Sequence, residues 1–347
     1  DEFYKFIGSE KKYINAKPEL RQTQRKIYNE HLELEQKYGN FPIWQKLMDD
    51  YNVKPLGEDG FSYTKNVKNK IKFIDKYLET KKNTVFQKGG TKMAWKYANT
   101  FFEDRHKNYM HHISKPALAR ESCSRLSPYI AWGNVSIRQI FHVALENRTE
   151  ANKKDLGAFV SRLRWQAHFI QKFEMEHTME EASVNKGYHK LKKSISETYQ
   201  KAWKEGQTGF PLIDASMRCL NETGYLNFRM RAMLISFFTH ILWQPWQDAT
   251  HHLSQQFLDF EPGIHFPQLQ MQASETGTNT IRIYSPIKNS IEHDADANFI
   301  KKWVPELAKL STGFIHEPYL MTPLDQQFAN FELGVNYPKP IVDIKIS

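Results

Sequence analysis

A chain of 347 residues can bury a sizeable core as one large domain or two smaller ones. Its 48 Lys and Arg outnumber 39 Asp and Glu to give a formal charge of +9, which fits a polyanionic partner, and its 14% aromatic content suits a helical core or stacking on flat rings and bases. The only two cysteines, Cys123 and Cys219, exclude a four-cysteine iron–sulfur or zinc site and fit a reducing compartment. The start, DEFYKFIGSE, is not a signal peptide, and a cytoplasmic location with no membrane partner is the expectation.

Residues 1–80 alternate Lys-rich stretches with short apolar clusters, which predicts short helices with loops at Pro18, Gly39 and Gly57 to Gly60. Apolar strands alternating with helices are not evident there, nor is a glycine-rich phosphate loop, so a doubly wound nucleotide domain is not expected. After Gly89 and Gly90 a helical pattern resumes over 91–109, with Ala94, Tyr97 and Phe101 on one face. His111 and His112 are neighbours in sequence, cannot share a helix face, and have no acid or cysteine at ligand spacing; no metal site is expected. Ser127-Pro128 reads as a helix start, with Ser at the N-cap and Pro at the first helical position. Such an N-terminus offers N–H groups to a phosphate, although an ordinary capped helix is the simpler reading of these residues alone.

Two further helices are predicted, from Ser136 to Asn147 and from Lys154 to His177. In the longer one Phe159, Leu163, Gln166 and Ile170 share a stripe, beside Arg162, Trp165 and Phe169. The run 185–204 concentrates six lysines among Tyr188, Tyr199 and Trp203, and reads as a solvated helix face before a phosphate-binding rim. A helix entered through Gly209-Phe210-Pro211 carries Ile213, Met217 and Leu220 on one face and stops at Gly224. Another starts near Leu226 and is almost wholly apolar from Ala232 to Trp246, so it must be buried, yet it is too short to span a bilayer.

Several of these runs, in this order, resemble the photolyase and cryptochrome family. Trp203 to Arg218 matches its Trp-x-x-Gly-x-Thr-Gly-x-Pro-x-x-Asp-Ala-x-Met-Arg, and Thr223 to Arg229 its Thr-Gly-Trp-x-x-x-Arg. Arg282 to Pro286 and Trp303 to Leu307 look like its Arg-Ile-Phe-Asn-Pro and Trp-x-Pro-Glu-Leu. The resemblance implies a mainly α fold: an all-helical FAD-binding domain over 81–322, a helical connector over 1–80 in place of most of an antenna-carrying α/β domain, and a C-terminal tail over 323–347.

It also implies a site. Tyr109 and the run Ser122, Cys123, Ser124, Leu126, Ser127 correspond to residues that hold the FAD diphosphate, with Cys123 standing where Thr is usual and losing a good donor. Arg231 matches an arginine near the flavin ring whose usual aspartate partner falls on Ile241, so FAD or Asp259 is expected as its counter-charge. Asp259 and Glu261 match an acidic pair bordering the flavin, where a carboxylate accepts the ring N3–H. His265 falls opposite flavin N5, where Asn is commonest; an imidazole titrating near neutrality could exchange a proton there.

Trp246 matches the middle member of a three-tryptophan electron route whose proximal member is Leu269 in this chain, leaving Trp243 and Tyr225 as alternative stepping stones. Arg162, Trp165, Gln166, Phe228 and Arg229 fall on the DNA-facing side, and Trp165 matches a residue that stacks on a flipped lesion. Arg162 replaces a glutamate, and Ala232 and Met271 depart from the usual lesion pocket. The expected function is FAD-dependent, blue-light-driven DNA repair by electron transfer from reduced flavin to a flipped pyrimidine lesion, with damaged or single-stranded DNA as the partner. The alternative is a cryptochrome-like photoreceptor, and a weaker third reading is a helical nucleic-acid binder without cofactor.

Overall fold

The computed structural model describes residues 85–343 except 277–280 and 282. The chain divides into the units Asp1–Lys82 and Asn83–Ser347, and the description concerns the second. The short helices expected in residues 1–80, and Arg282 at the head of the Arg282 to Pro286 run, lie outside the described residues.

The described residues are helical with one isolated bridge, Leu333 to Tyr337. The helices are α1 (Thr91–Glu103), α2 (Pro116–Ser122), α3 (Ser127–Ala131), α4 (Ile137–Glu146), α5 (Lys153–Met175), α6 (Glu197–Glu205), α7 (Pro211–Thr223), α8 (Phe228–Ser236), α9 (Trp246–Gln256), α10 (Pro262–Gln272), α11 (Pro286–His293) and α12 (Asn298–Trp303). Single-turn helices at Tyr109–His112 and Thr312–Ile315, a short one at Pro323–Phe328, and several 3-10 turns lie in the connections, of which the longest runs from Met175 to Glu197. Ser136 caps α4 in a reciprocal capping box with Gln139, as its position just before an apolar-periodic run predicts.

Two hydrophobic cores form. The first gathers Ala94 and Phe101 of α1, Tyr109, Leu126, Ile140 of α4 and Leu156, Phe159 and Leu163 of α5. Its centre is aromatic: Phe101 lies 4.8 Å from Phe159 and 5.7 Å from Tyr109, ring centroid to centroid. The second core is built from α7, α8, α9, α10 and α12. Helix α5, 23 residues long, serves both, because its first half enters the first core while Phe173 near its end stacks on Phe266 of α10. Gly263 permits that approach, since a Cβ there would sit 3.0 Å from Ile170 Cα of α5.

Helix α7 is the hub of the second core. Pro211 opens it and Gly224, at φ 66°, closes it in the left-handed conformation that residues with a Cβ rarely adopt. It buries Asp214 completely, which only complete hydrogen bonding makes tolerable. The carboxylate accepts from Thr208 N at 2.8 Å, Thr208 Oγ1 at 2.6 Å, Gly209 N at 3.1 Å and the hydroxyl of Tyr337. Tyr337 is itself buried, and Ile341 N donates to the Thr208 carbonyl at 2.9 Å, so the segment beyond 323 packs into this core.

Three local expectations change. The apolar run 232–246 is not one helix: α8 ends at Ser236, Phe237–Ile241 forms a π turn, and Pro245, which has no N–H to donate, lies just before α9. Ser127 does not cap α3; it is the first helical residue, is exposed, and makes no side-chain cap bond. The lysine run is not a single solvated face, since the Lys193 side chain is only 4% exposed.

Replacing Asp214 with Ala strands four buried donors, and urea unfolding should show a loss of about 3 kcal/mol or more. Asp214→Asn, which keeps the volume and one oxygen, should lose less.

Candidate functional site

A cleft of about 530 Å3 of empty space, its mouth included, opens between α8, the loop after α9, and α10. Phe228, Arg231 and Ala232 line it from α8, Asp259 and Glu261 from the loop, and His265 and Leu269 from α10. The walls are largely apolar, with a few polar groups converging, the usual make-up of a site for a flat organic ligand.

Arg231 Nη2 pairs with Asp259 Oδ2 at 2.8 Å, and its Nε donates to the Leu226 carbonyl at 2.8 Å. Asp259 is thus the counter-charge, in place of the aspartate that sequence position 241 lacks. The guanidinium carbon stands 4.1 Å from the Phe257 ring centroid, which fixes its plane. The Asp259 side chain is 4% exposed, yet its second oxygen, Oδ1, has no partner. An unmatched buried acceptor costs about 1–3 kcal/mol, so a fold that keeps one in a cleft wall is suited to a ligand N–H.

His265 repeats the pattern. Its ring bonds to the Thr250 backbone while Nε2 is buried without a partner, which leaves Nδ1 as the nitrogen making that bond. Burial pulls the imidazole down to about 4, aided by the nearby Arg231 cation. The ring is therefore neutral at physiological pH, and donation at Nδ1 leaves Nε2 as an acceptor. Its unperturbed pKa suggests proton exchange near neutrality, but burial overrides that. Glu261 caps α10, accepting from Gly263 N at 3.4 Å, so its carboxylate is tied to the helix start as well as facing the cleft.

Beside the cleft lies the run from Tyr109 to Ser127. Tyr109 is buried, burial raises its phenol pKa far above the ordinary value, and its hydroxyl takes a hydrogen bond from Arg162. Ser122 Oγ is 2.6 Å from His112 Nδ1, Ser124 Oγ accepts from Leu126 N at 3.4 Å, and Leu126 is buried in the first core. Burial pushes the Cys123 thiol up to about 12, so it is neutral and a weak donor.

Arg105, which the sequence reading did not single out, clamps this run. It donates to the carbonyls of Tyr97 at 2.6 Å, Glu121 at 3.2 Å, Ser124 at 3.3 Å and Cys123. Arg125 adopts a left-handed φ of 59°, stands 3.8 Å from the Tyr225 ring centroid, and leaves its Nε buried and unpartnered. Neither arginine has a carboxylate partner among the described residues. Two partly desolvated guanidiniums beside a hydroxyl-bearing run suit a diphosphate. Tyr225 joins the two halves, because Arg231 also lies 5.7 Å from its ring. Trp132 Nε1 donates to the Leu258 carbonyl at 2.8 Å and ties α3 to the loop carrying Asp259.

A family model for the FAD-binding domain of DNA photolyase matches residues 159–347. The chain belongs to this family. FAD is the cofactor of such a domain, and the orphaned acceptors of Asp259 and His265, with the unpartnered Nε of Arg125, fit it. The chain is 31% identical to a deoxyribodipyrimidine photo-lyase of Alkalihalophilus pseudofirmus over 73% of its own length and 53% of the relative's. It is 34% identical to cryptochrome-1 of Arabidopsis thaliana, over 64% of this chain and 34% of that one. Its fold matches the crystal structure of a class III photolyase from Agrobacterium tumefaciens with a TM-score of 0.69 at 27% identity, covering 73% of this chain and 53% of that one. The chain thus spans about half or less of these relatives.

The remaining expected residues of this photolyase-family domain are distributed unevenly. Phe228, 45% exposed, lines the cleft and Arg229 follows it, with its Nε buried and unpartnered and its guanidinium 5.6 Å from the Tyr284 ring. Arg162, Trp165 and Gln166 lie on α5 and are not among the cleft-lining residues; Trp165 is 49% exposed and packs on Phe169. Trp246 is fully buried in the second core and does not line the cleft, whereas Leu269 does. No group of three or more His, Cys, Asp or Glu could hold a metal among the described residues, and no helix there is long and apolar enough to cross a membrane.

The depressed His265 pKa has a signed consequence. The unfolded imidazole binds a proton near its ordinary 6.5 and the folded one only near 4, so stability falls as pH drops through that window and levels off below it. The loss amounts to roughly 3 kcal/mol at most, and His265→Asn should flatten the urea-midpoint profile between these pH values. His252, also brought down to about 4 by burial, leaves a residual slope in that variant.

Proposed function

We propose that this chain is a FAD-dependent, blue-light-driven photolyase-like protein acting on a flipped pyrimidine lesion in DNA. The observation that carries the flavin part is the pair of buried unpartnered acceptors, Asp259 Oδ1 and His265 Nε2, in one cleft wall. Asp259 would accept a ring N–H while Arg231 holds its other oxygen in place, and neutral His265 would offer Nε2 to the reactive edge of the ring. Arg125, with its unpartnered Nε, would hold the diphosphate together with Tyr109 and Ser124, on the run that Arg105 shapes. When bound, FAD supplies the light-driven electron chemistry; the protein's own part is to orient the ring, exclude water with apolar walls, and admit the base.

The DNA part rests on the surface beside the cleft. Phe228 presents a half-exposed ring at the cleft, Arg229 follows with an unmet buried donor, and Trp165 offers an exposed indole on α5. With a net charge of +9, these favour phosphate neutralisation plus stacking on an extruded base. One observation supports a cryptochrome-like photoreceptor instead: Arg162, where the family has a glutamate, is bonded to Tyr109 and offers no acceptor to a flipped base.

The purified protein should show a flavin absorption spectrum that bleaches under blue light with a reductant. Asp259→Ala should lower FAD retention about tenfold or more, the scale of one charge-assisted hydrogen bond. Light-dependent loss of pyrimidine dimers from an oligonucleotide then supports the enzyme, whereas bleaching without repair supports the photoreceptor. A colourless protein that takes up no added FAD overturns both.

A further inference from the structure

Away from the cleft, a second set of ionisable side chains is buried around Trp246. The indole Nε1–H donates to Glu275 Oε2 at 3.0 Å and lies 3.3 Å from Ser183 Oγ. Ser183 Oγ donates to the same carboxylate oxygen. The other oxygen, Oε1, receives Lys193 Nζ at 3.3 Å, in an ion pair whose side chains are 4% and 8% exposed. Lys193 Nζ also donates to the Thr239 carbonyl in the π turn and stands 5.0 Å from the ring centroid of Trp243, which is 45% exposed. His240 faces this group, with Nε2 3.2 Å from the Gln272 carbonyl and 3.3 Å from Ser274 Oγ.

A resting indole does not need a carboxylate. Trp203, equally buried, satisfies its N–H with the Leu234 carbonyl at 3.2 Å. A buried ion pair is a poor device for stability alone, because desolvation offsets its attraction. The arrangement has a chemical use once an electron leaves Trp246. An oxidised indole is a strong acid at Nε1, and that atom already faces a carboxylate within hydrogen-bonding distance, the geometry a proton transfer needs. The charges also bias where the hole rests: the Glu275 anion favours positive charge on Trp246, while the Lys193 cation disfavours it on Trp243.

We propose that Glu275 is the proton acceptor of Trp246, making this tryptophan a proton-coupled electron donor whose radical stays on Trp246 instead of passing to the exposed Trp243. One electron passes from the indole to a one-electron oxidant, of the photoexcited flavin class under the reading above. The Nε1–H bond breaks and an O–H bond forms on Glu275 Oε2, giving a neutral tryptophanyl radical and a neutral glutamic acid. Return of the electron and the proton restores both groups. The proposal rests on the light-driven reading only for the identity of the oxidant.

Its test therefore needs no flavin. A short ultraviolet pulse photoionises tryptophans directly in the full chain, and transient absorption follows decay of the cation radical into the neutral radical. The wild type should show a fast deprotonation phase that slows in D2O, disappears in Trp246→Phe, and slows about 100-fold or more in Glu275→Gln. Lys193→Met, which breaks the ion pair but keeps the base, should retain the fast phase. A fast phase that persists in Glu275→Gln or in Trp246→Phe overturns the proposal, and so does equal loss in Glu275→Gln and Lys193→Met, the result for a purely structural ion pair. Absence of a solvent isotope effect in the wild type overturns it whichever variants fold. Failure of FAD binding would sink the functional reading and leave these outcomes standing.

Discussion

The cleft depends on the pairing of Arg231 with Asp259. A guanidinium and a carboxylate drawn out of water are tolerable only when each finds a partner, and these two come from α8 and from the loop leading into α10. Their bond fixes the separation of the two walls. The Leu226 carbonyl and the Phe257 ring complete the arginine's shell, which leaves the aspartate with one oxygen committed and one free. A site that must bind a polar ring edge in an apolar cleft needs such an asymmetry.

The same constraint recurs elsewhere with different outcomes. Asp214 is wholly buried and wholly satisfied, and its work is structural: it anchors the entry of α7 and ties Tyr337 to the second core. Arg105 is satisfied by four backbone carbonyls and the Thr100 hydroxyl, so it shapes the run from Glu121 to Ser124 with no carboxylate partner. Arg125 beside it stacks on Tyr225 and keeps an idle donor. Buried groups with complete partners hold the fold, whereas those left incomplete in the cleft wall are suited to a ligand.

Photolyases and cryptochromes share this scaffold, and what separates them resides in side chains placed on it. Several such positions in this chain differ from the family pattern. By the resemblance to the family motifs, Leu269 stands at a tryptophan position and Arg162 at a glutamate position; in this fold Leu269 lines the cleft, Arg162 lies against Tyr109, and His265 leaves Nε2 unpartnered. Trp246, buried in the second core, has a carboxylate neighbour supported by Lys193.

Much of this was legible in the chain itself. Helix periodicity, the Gly-Phe-Pro entry and Gly224 exit of α7, and the start of α4 at Ser136 are set by contacts within a few residues, so local reading locates them. The ordered motifs identify the family and point to Tyr109, Asp259 and His265, because backbone-shaping residues leave recognisable spacings. Tertiary structure decided the rest. Arg105 sits in a polar stretch, EDRHKN, that reads as surface, and only the return of the chain near Cys123 turns it into a clamp. Glu275 and Lys193, 82 residues apart, carry no shared pattern and meet only because the π turn and the end of α10 bring them to Trp246. The charge state of His265 could not be read from its type, since burial, a property of the assembled fold, moves its pKa out of the neutral range. Local propensity belongs to the sequence; partners, burial and pKa belong to the packed chain.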